Sequence, residues 1–238
     1  MLYFTREELT FLAEYFGYKN LQAADFVEYN QNECIDSLVK KEYITPYGSN
    51  FKLSNECRLL LSAWQKIRYT LVKDSSLSDD YVYAILAGSQ SVISYSLHYN
   101  DIEVSMCDFS IEIMDKIIAD YLKIIKSNNC KLGFNITLTA EEYLYCFGEE
   151  TPSALVCKKT GLSIEDVDLI KRCLKNQDNT PFIVQDLKEN VGCRGILFKY
   201  PNEYVLIKHI VPNNNPDMQK VVIVKGNSVD VVDSVYIV

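Results

Sequence analysis

Glycine is scarce in this chain, nine residues in 238. With so few, the sequence holds no phosphate-cradling glycine run, no dinucleotide fingerprint and no Gly-x-Ser-x-Gly nucleophile turn. Histidine occurs only at His98 and His209. These lie far apart in sequence, and His-Glu-x-x-His is absent, so a histidine-rich metal site is not expected. No two of the eight cysteines lie within ten residues of each other, which removes Cys-x-x-Cys and zinc-ribbon spacing. No apolar run approaches the ~18 residues of a membrane-spanning helix. A net basic stretch is missing as well. Residues 1–70 carry 8 basic and 9 acidic side chains, residues 71–133 carry 5 and 9, and residues 134–238 carry 11 and 14. A surface that neutralises phosphates needs a basic face, so nucleic acid and anionic membrane are not expected as partners.

What is present is a globular composition, 48% hydrophobic and 24% charged with a net charge of −8, too apolar to remain disordered. The opening Met1-Leu-Tyr-Phe-Thr-Arg-Glu-Glu8 carries acid where a secretory leader carries base. The expectation is a cytoplasmic protein. Its cysteines sit among Leu, Ile and Val and read as reduced, small apolar residues.

Thr5-Arg-Glu-Glu8 is a capping box, followed by Leu9, Leu12, Ala13 and Phe16 on one helical face and by Gly17 as a stop. Asn30 and Ser54 start two further helices, with the turn-rich segment Tyr43–Leu53 between them. Residues 81–109 then read as an antiparallel meander. In Ser91–Tyr99, Ile93, Tyr95, Leu97 and Tyr99 alternate with Ser94, Ser96 and His98. Ser110 opens a helix whose stripe Met114, Ile117, Ile118, Tyr121, Leu122 and Ile125 predicts one uninterrupted element over 110–126.

The pattern begins again with Thr139-Ala-Glu-Glu142, where Leu138–Gly148 reads like Phe4–Gly17. Thr151-Pro152 and Ser163 start two helices, separated by Gly161. Strands are expected at Gly195–Tyr200, Tyr204–Val211, Lys220–Lys225 and Val229–Val238, so that 194–238 forms antiparallel sheet. The fold class is therefore α+β, with two pseudo-symmetric halves, 1–130 and 131–238, each of helices followed by an antiparallel meander, forming one integrated domain. His98 and His209 are expected at matching positions near the ends of the two second meander strands.

No catalytic constellation emerges. The doublets Asp79-Asp80 and Glu149-Glu150 read as solvated turns, and His98 and His209 as hydrogen-bonded strand residues. No enzyme activity, catalytic residue, cofactor or metal is expected. The segment Ala154–Leu174 has helix-turn-helix rhythm, and residues 5–53 have that of a winged helix. The helix that would read bases nevertheless starts with Glu165, Asp166 and Asp168, the wrong charge beside phosphate. A winged-helix-like regulator and an enzyme of unrecognised class remain as alternatives. With 17 Tyr and 10 Phe the chain is rich in side chains suited to recognition surfaces.

Phe4-Thr-Arg-Glu-Glu-Leu9, Leu12 and Phe16-Gly17, with the later Leu38-Val-Lys-Lys-Glu-Tyr-Ile44, resemble the EspG-type chaperones of type VII (ESX) secretion. That resemblance implies two pseudo-symmetric halves and a cytosolic, non-enzymatic protein. It also implies a partner, an α-helical secreted substrate held soluble for export, and it carries over no functional residue. The expected assembly of the chain itself is a monomer or homodimer. The one candidate partner site read from the residues is the loop between the last long strands, Val211, Pro212, Asn214, Asp217 and Met218. Its ends are fixed by apolar strands, and Met218 offers an adaptable contact.

Overall fold

The computed structural model describes residues 1–19, 21, 24, 26–73, 81–125, 133–148, 151–175, 179–189, 191–200, 203–212 and 218–236. Packing divides the chain into two units, Met1–Ser110 and Ile111–Val238. Mixed helices and antiparallel strands make the fold α+β.

The first unit opens with strand β1 (Leu2–Thr5), which sends Leu2 and Phe4 inward. Helix α1 (Arg6–Phe16) follows at once. Thr5 Oγ1 accepts from Glu8 N, the Glu8 carboxylate accepts from Thr5 N, and Gly17 closes the helix at φ 75°. That left-handed geometry suits glycine, which has no Cβ to clash. Helices α2 (Gln31–Lys40) and α3 (Asn55–Trp64) are capped by Asn30 and Ser54 as their sequence demands, and the hairpin β2 (Ile44–Tyr47) with β3 (Asn50–Leu53) lies between them. Strands β4 (Ile67–Lys73), β5 (Tyr81–Gly88), β6 (Ser91–His98) and β7 (Asp101–Asp108) form the meander, and β1 pairs with β7. The core lies between helices and sheet, around Phe4, Leu12, Leu38, Leu61, Trp64, Tyr95 and Leu97.

The second unit begins with α4 (Ile111–Tyr121). Helix α4 does not run to 126: Lys123 takes φ 53° and ends it, while Leu122 and Ile124 stay buried in non-helical chain. Met114, Ile118 and Leu122 of the expected stripe are buried, but Ile125 is 78% exposed and Ile124 takes the inward place, because the turn at Lys123 breaks the helical spacing. Then come β8 (Phe134–Thr139), α5 (Ala140–Phe147), α6 (Ser153–Thr160) and α7 (Ile164–Lys175). Strands β9 (Asn179–Asp186), β10 (Val191–Lys199), β11 (Tyr204–Pro212) and β12 (Lys220–Gly226) pair in sequence, and β8 pairs with β12. The chain ends in α8 (Ser228–Tyr236), not in the strand expected over Val229–Val238. The alternating valines suggested a strand, but Asn227 decides otherwise. Its side-chain oxygen accepts from Val229 N and Asp230 N, and Asp230 accepts from Asn227 N. Val231, Val232 and Val235 are then buried at helical spacing.

Element order repeats: strand, three helices, four strands, helix, with the β2–β3 hairpin as an addition to the first half. In each half the opening strand lies beside the last meander strand. In order of elements α4 closes the first repeat, whereas in packing it belongs to the second unit, where it meets α8. Strands β1, β4, β8 and β9 were not expected from the sequence; β1 and β8 are four and six residues long and run straight into capping boxes.

In the second unit α7 and the β10–β12 strands enclose one core, around Ile170, Phe198, Val205, Ile207, Val221 and Ile223. Helix α8 packs on β11 and β12. Two features fix this packing. The Phe182 ring lies over Gly195 so closely that a Cβ there would overlap the ring. Lys208, 1% exposed, donates from Nζ to Ser234 O in the last turn of α8 at 2.8 Å, a cation satisfying a C-terminal carbonyl. Burial holds its pKa below the usual lysine range.

Candidate partner-binding surface

The register of the two halves can be matched through their capping boxes. Thr5 opposes Asp101, and Asp101 opposes His98; in the second half Thr139 opposes Lys220, and Lys220 opposes Ile210. His98 therefore corresponds to Ile210, and His209 corresponds to Leu97. The two histidines do not share a position, as the sequence reading had them. They are one residue out of step, which in a strand places them on opposite faces. His209 points to the helical side, with its ring edge-on to Tyr143 at 5.1 Å, and burial lowers its pKa. His98 is exposed and stands edge-on to Tyr99 at 4.6 Å.

His98 borders a polar groove of about 300 Å³ with Tyr3, Lys41, Ser96, Asp101 and Glu103. Among the described residues no cluster of His, Cys, Asp and Glu could hold a metal ion. Seven described cysteines are unbonded, and Cys130 lies outside the described residues. Burial raises the thiol pKa at Cys34 (to about 11), Cys57, Cys107, Cys146, Cys173 and Cys193, which keeps them protonated and poorly nucleophilic. The doublets Asp79-Asp80 and Glu149-Glu150 also lie outside the described residues.

The helix-turn-helix-like segment is α6, the left-handed Gly161 and α7. Its acids act within the chain. Asp166 accepts from Lys225 Nζ at 2.8 Å and from the Ser163 hydroxyl at 2.7 Å, and Asp168 accepts from the Ser153 hydroxyl at 2.6 Å. Along α7, Glu165 and Asp168 near its start and Lys171, Arg172 and Lys175 toward its end line an open groove of about 680 Å³. Mixed charge of this kind gives no basic track for a phosphate backbone.

Of the loop singled out in the sequence, Val211 and Pro212 are half-buried at the end of β11, opposite Gly192 and Val191. Met218 is 56% exposed just before β12. Asn214 and Asp217 lie outside the described residues. The far end of the loop is tied down, because Gln219 O accepts from Ala140 N, the first residue of α5. The first half does the same with a tighter turn, where Asn100 O accepts from Arg6 N. The turn residue Tyr99 sits at φ 55° and is 65% exposed, an aromatic side chain held in a sparsely populated conformation at a hairpin tip. Both hairpin ends thus lie at the starts of the capping-box helices and present apolar or aromatic side chains to solvent.

Sequence reasoning missed a second set of exposed apolar residues. Leu144 and Tyr145 on α5 are 69% and 53% exposed, and Leu155 on α6 is 45% exposed. Lys159, one turn beyond Leu155, stands 5.2 Å above the Tyr145 ring and 3.6 Å from Glu142. The helical pattern alone gives Leu144 and Tyr145 no sign of exposure.

The fold is similar to that of the type VII secretion system chaperone EspG5 of Mycobacterium tuberculosis, solved in complex with a PE25–PPE41 dimer. The TM-score is 0.62 at 8% identity, over 98% of this chain and 93% of that one. The likeness is one of fold. No protein-family model matches the sequence, and no curated protein does. Among the described residues, no helix is long and apolar enough to cross a membrane.

Proposed function

We propose that this chain is a non-enzymatic, cytoplasmic binding protein that holds an α-helical substrate of type VII secretion for export. The observation that carries the reading is the fold likeness, over most of both chains, to the chaperone EspG5 solved in complex with a PE25–PPE41 dimer. Two features of the chain support it. Among the described residues its buried cysteines are raised in pKa by burial, and the acids Asp166 and Asp168 are engaged within the chain. Exposed apolar side chains include Tyr99 and Met218 beside hairpin turns and Leu144, Tyr145 and Leu155 on α5 and α6. In this reading Val211, Pro212, Asn214, Asp217 and Met218 contribute to the partner surface.

The test is co-expression with small helical proteins encoded beside it, followed by size-exclusion chromatography. The reading expects a stable complex, a partner insoluble without this chain, and loss of capture when residues 212–217 are shortened to a tight turn. Soluble partners that never co-elute with it would overturn the proposal. Capture that survives the shortened loop would remove the loop from the site and leave the chaperone reading standing.

A further inference from the structure

The internal repeat shows what normally covers the exposed face of α5. With Thr5 matched to Thr139 and Glu8 to Glu142, Thr10 corresponds to Leu144 and Phe11 to Tyr145. In the first unit Thr10 and Phe11 are each 1% exposed. They are covered by the chain that leads from α1 to α2. Val27 N donates to Thr10 Oγ1 at 3.2 Å, the Tyr29 ring stands edge-on to Phe11 at 5.8 Å, and Tyr29 Oη donates to Glu14 at 2.7 Å. The covering residues 26–30 form neither helix nor strand. In the second unit the connection from α5 to α6 is only residues 148–152, and Leu144 and Tyr145 stand in solvent. Where the first unit has a threonine that bonds its cover, the second has a leucine. At that position the exposed residue is thus more apolar than its covered counterpart, the reverse of what solvation alone favours.

We infer that the Leu144–Tyr145 face of α5 docks an extended, aromatic-bearing segment of a partner polypeptide, in the place that Val27–Tyr29 fill on α1. The occupant is an extended stretch that carries a tyrosine, since the Tyr29 ring and hydroxyl close the equivalent face on α1. Leu155 and the stem of Lys159 continue the apolar surface, and the Tyr145 ring offers an edge or face to the incoming aromatic. Nothing in this inference requires a helical substrate, so it stands or falls separately from the chaperone reading.

The probe is a synthetic peptide of the chain's own residues 24–30, Ala-Asp-Phe-Val-Glu-Tyr-Asn, titrated into the isotope-labelled full chain and followed by NMR. Saturable shifts are expected at Leu144, Tyr145 and Lys159, with a Kd of about 1 mM, as suits so short a ligand. Leu144→Asp should weaken binding at least tenfold. Because Leu144 is largely in solvent, that variant should keep its far-UV spectrum. A peptide with alanine in place of its tyrosine should fail to saturate. Three results would overturn the inference: no shift at these residues at ~5 mM peptide, shifts confined to Phe11 and its neighbours, or concentration-dependent broadening of Leu144 and Tyr145 without peptide, which would assign the face to a second copy.

Discussion

Glu8 and Glu142 occupy the same place in the two capping boxes, yet their surroundings differ enough to separate a buried network from a surface cap. Glu8 is 2% exposed. Its carboxylate accepts from Thr5 N at 2.8 Å, from the Ser37 hydroxyl at 2.6 Å and from Lys41 Nζ at 2.7 and 2.8 Å. Lys41 also donates to Tyr3 O, and the Tyr43 hydroxyl accepts from Tyr3 N, so both outward backbone groups of Tyr3 on the edge strand β1 are occupied by side chains. Replacing Glu8 by alanine strands the Ser37 hydroxyl and one backbone N–H, and leaves Lys41, whose side chain is 32% exposed, without its carboxylate and with the Tyr3 carbonyl as acceptor. Breaking a buried pair costs about 3–5 kcal/mol, and partial hydration of Lys41 places Glu8→Ala at the lower end, about 3 kcal/mol. The only tryptophan, Trp64, is fully buried in the first unit and edge-on to Tyr95, so its fluorescence reports that unit's unfolding. The urea midpoint should fall by about 1–1.5 M. Glu142 makes the same two cap bonds, but its ion pair with Lys159 is 39% exposed on both sides. Glu142→Ala, followed by far-UV circular dichroism, should therefore shift the transition much less. A Glu8→Ala midpoint within ~0.2 M of wild type, or equal shifts for both variants, would refute the argument.

Gly195→Ala should destabilise the second unit by about 2 kcal/mol or more, because its Cβ must displace the buried Phe182 ring. Adding Phe182→Leu should recover part of that loss in a denaturation double-mutant cycle. Tyr99→Gly should raise stability by about 1 kcal/mol by relieving the positive φ. His209, whose pKa burial holds below 6.5, is favoured neutral in the fold, so the unfolded chain takes up its proton first. Stability should fall as pH drops through about 6.5 toward 5. His209→Leu, the residue of the matching position, should flatten that part of the stability–pH curve. Binding to random duplex DNA should be undetectable by fluorescence anisotropy even at low salt; a salt-dependent micromolar affinity would promote the regulator reading.

Local signals in the sequence translated directly into structure. Both capping boxes, the Asn30 and Ser54 caps, the stops at Gly17 and Gly161 and the β5–β7 hairpins depend on residues within a few positions of each other. Non-local features were hidden. Strands β1 and β8 are short and take meaning only from pairing with β7 and β12, more than eighty residues away. The valine-rich end formed α8 because the Asn227 cap and burial overrode β propensity. The histidine correspondence failed by one residue, which only register reveals. Exposure of Leu144 and Tyr145 was illegible because it depends on a covering segment that the second half does not have.

The central claim is that this chain recognises a helical secreted protein through an assembled surface and performs no chemistry on it. Hydrogen exchange of the full chain, with and without a purified helical partner encoded beside it, tests this most directly. The account predicts slowed exchange over one continuous patch that includes the 211–219 segment and the start of α5, with the partner recovered intact. Unchanged exchange throughout at saturating partner, or recovery of a covalently altered partner, would contradict it.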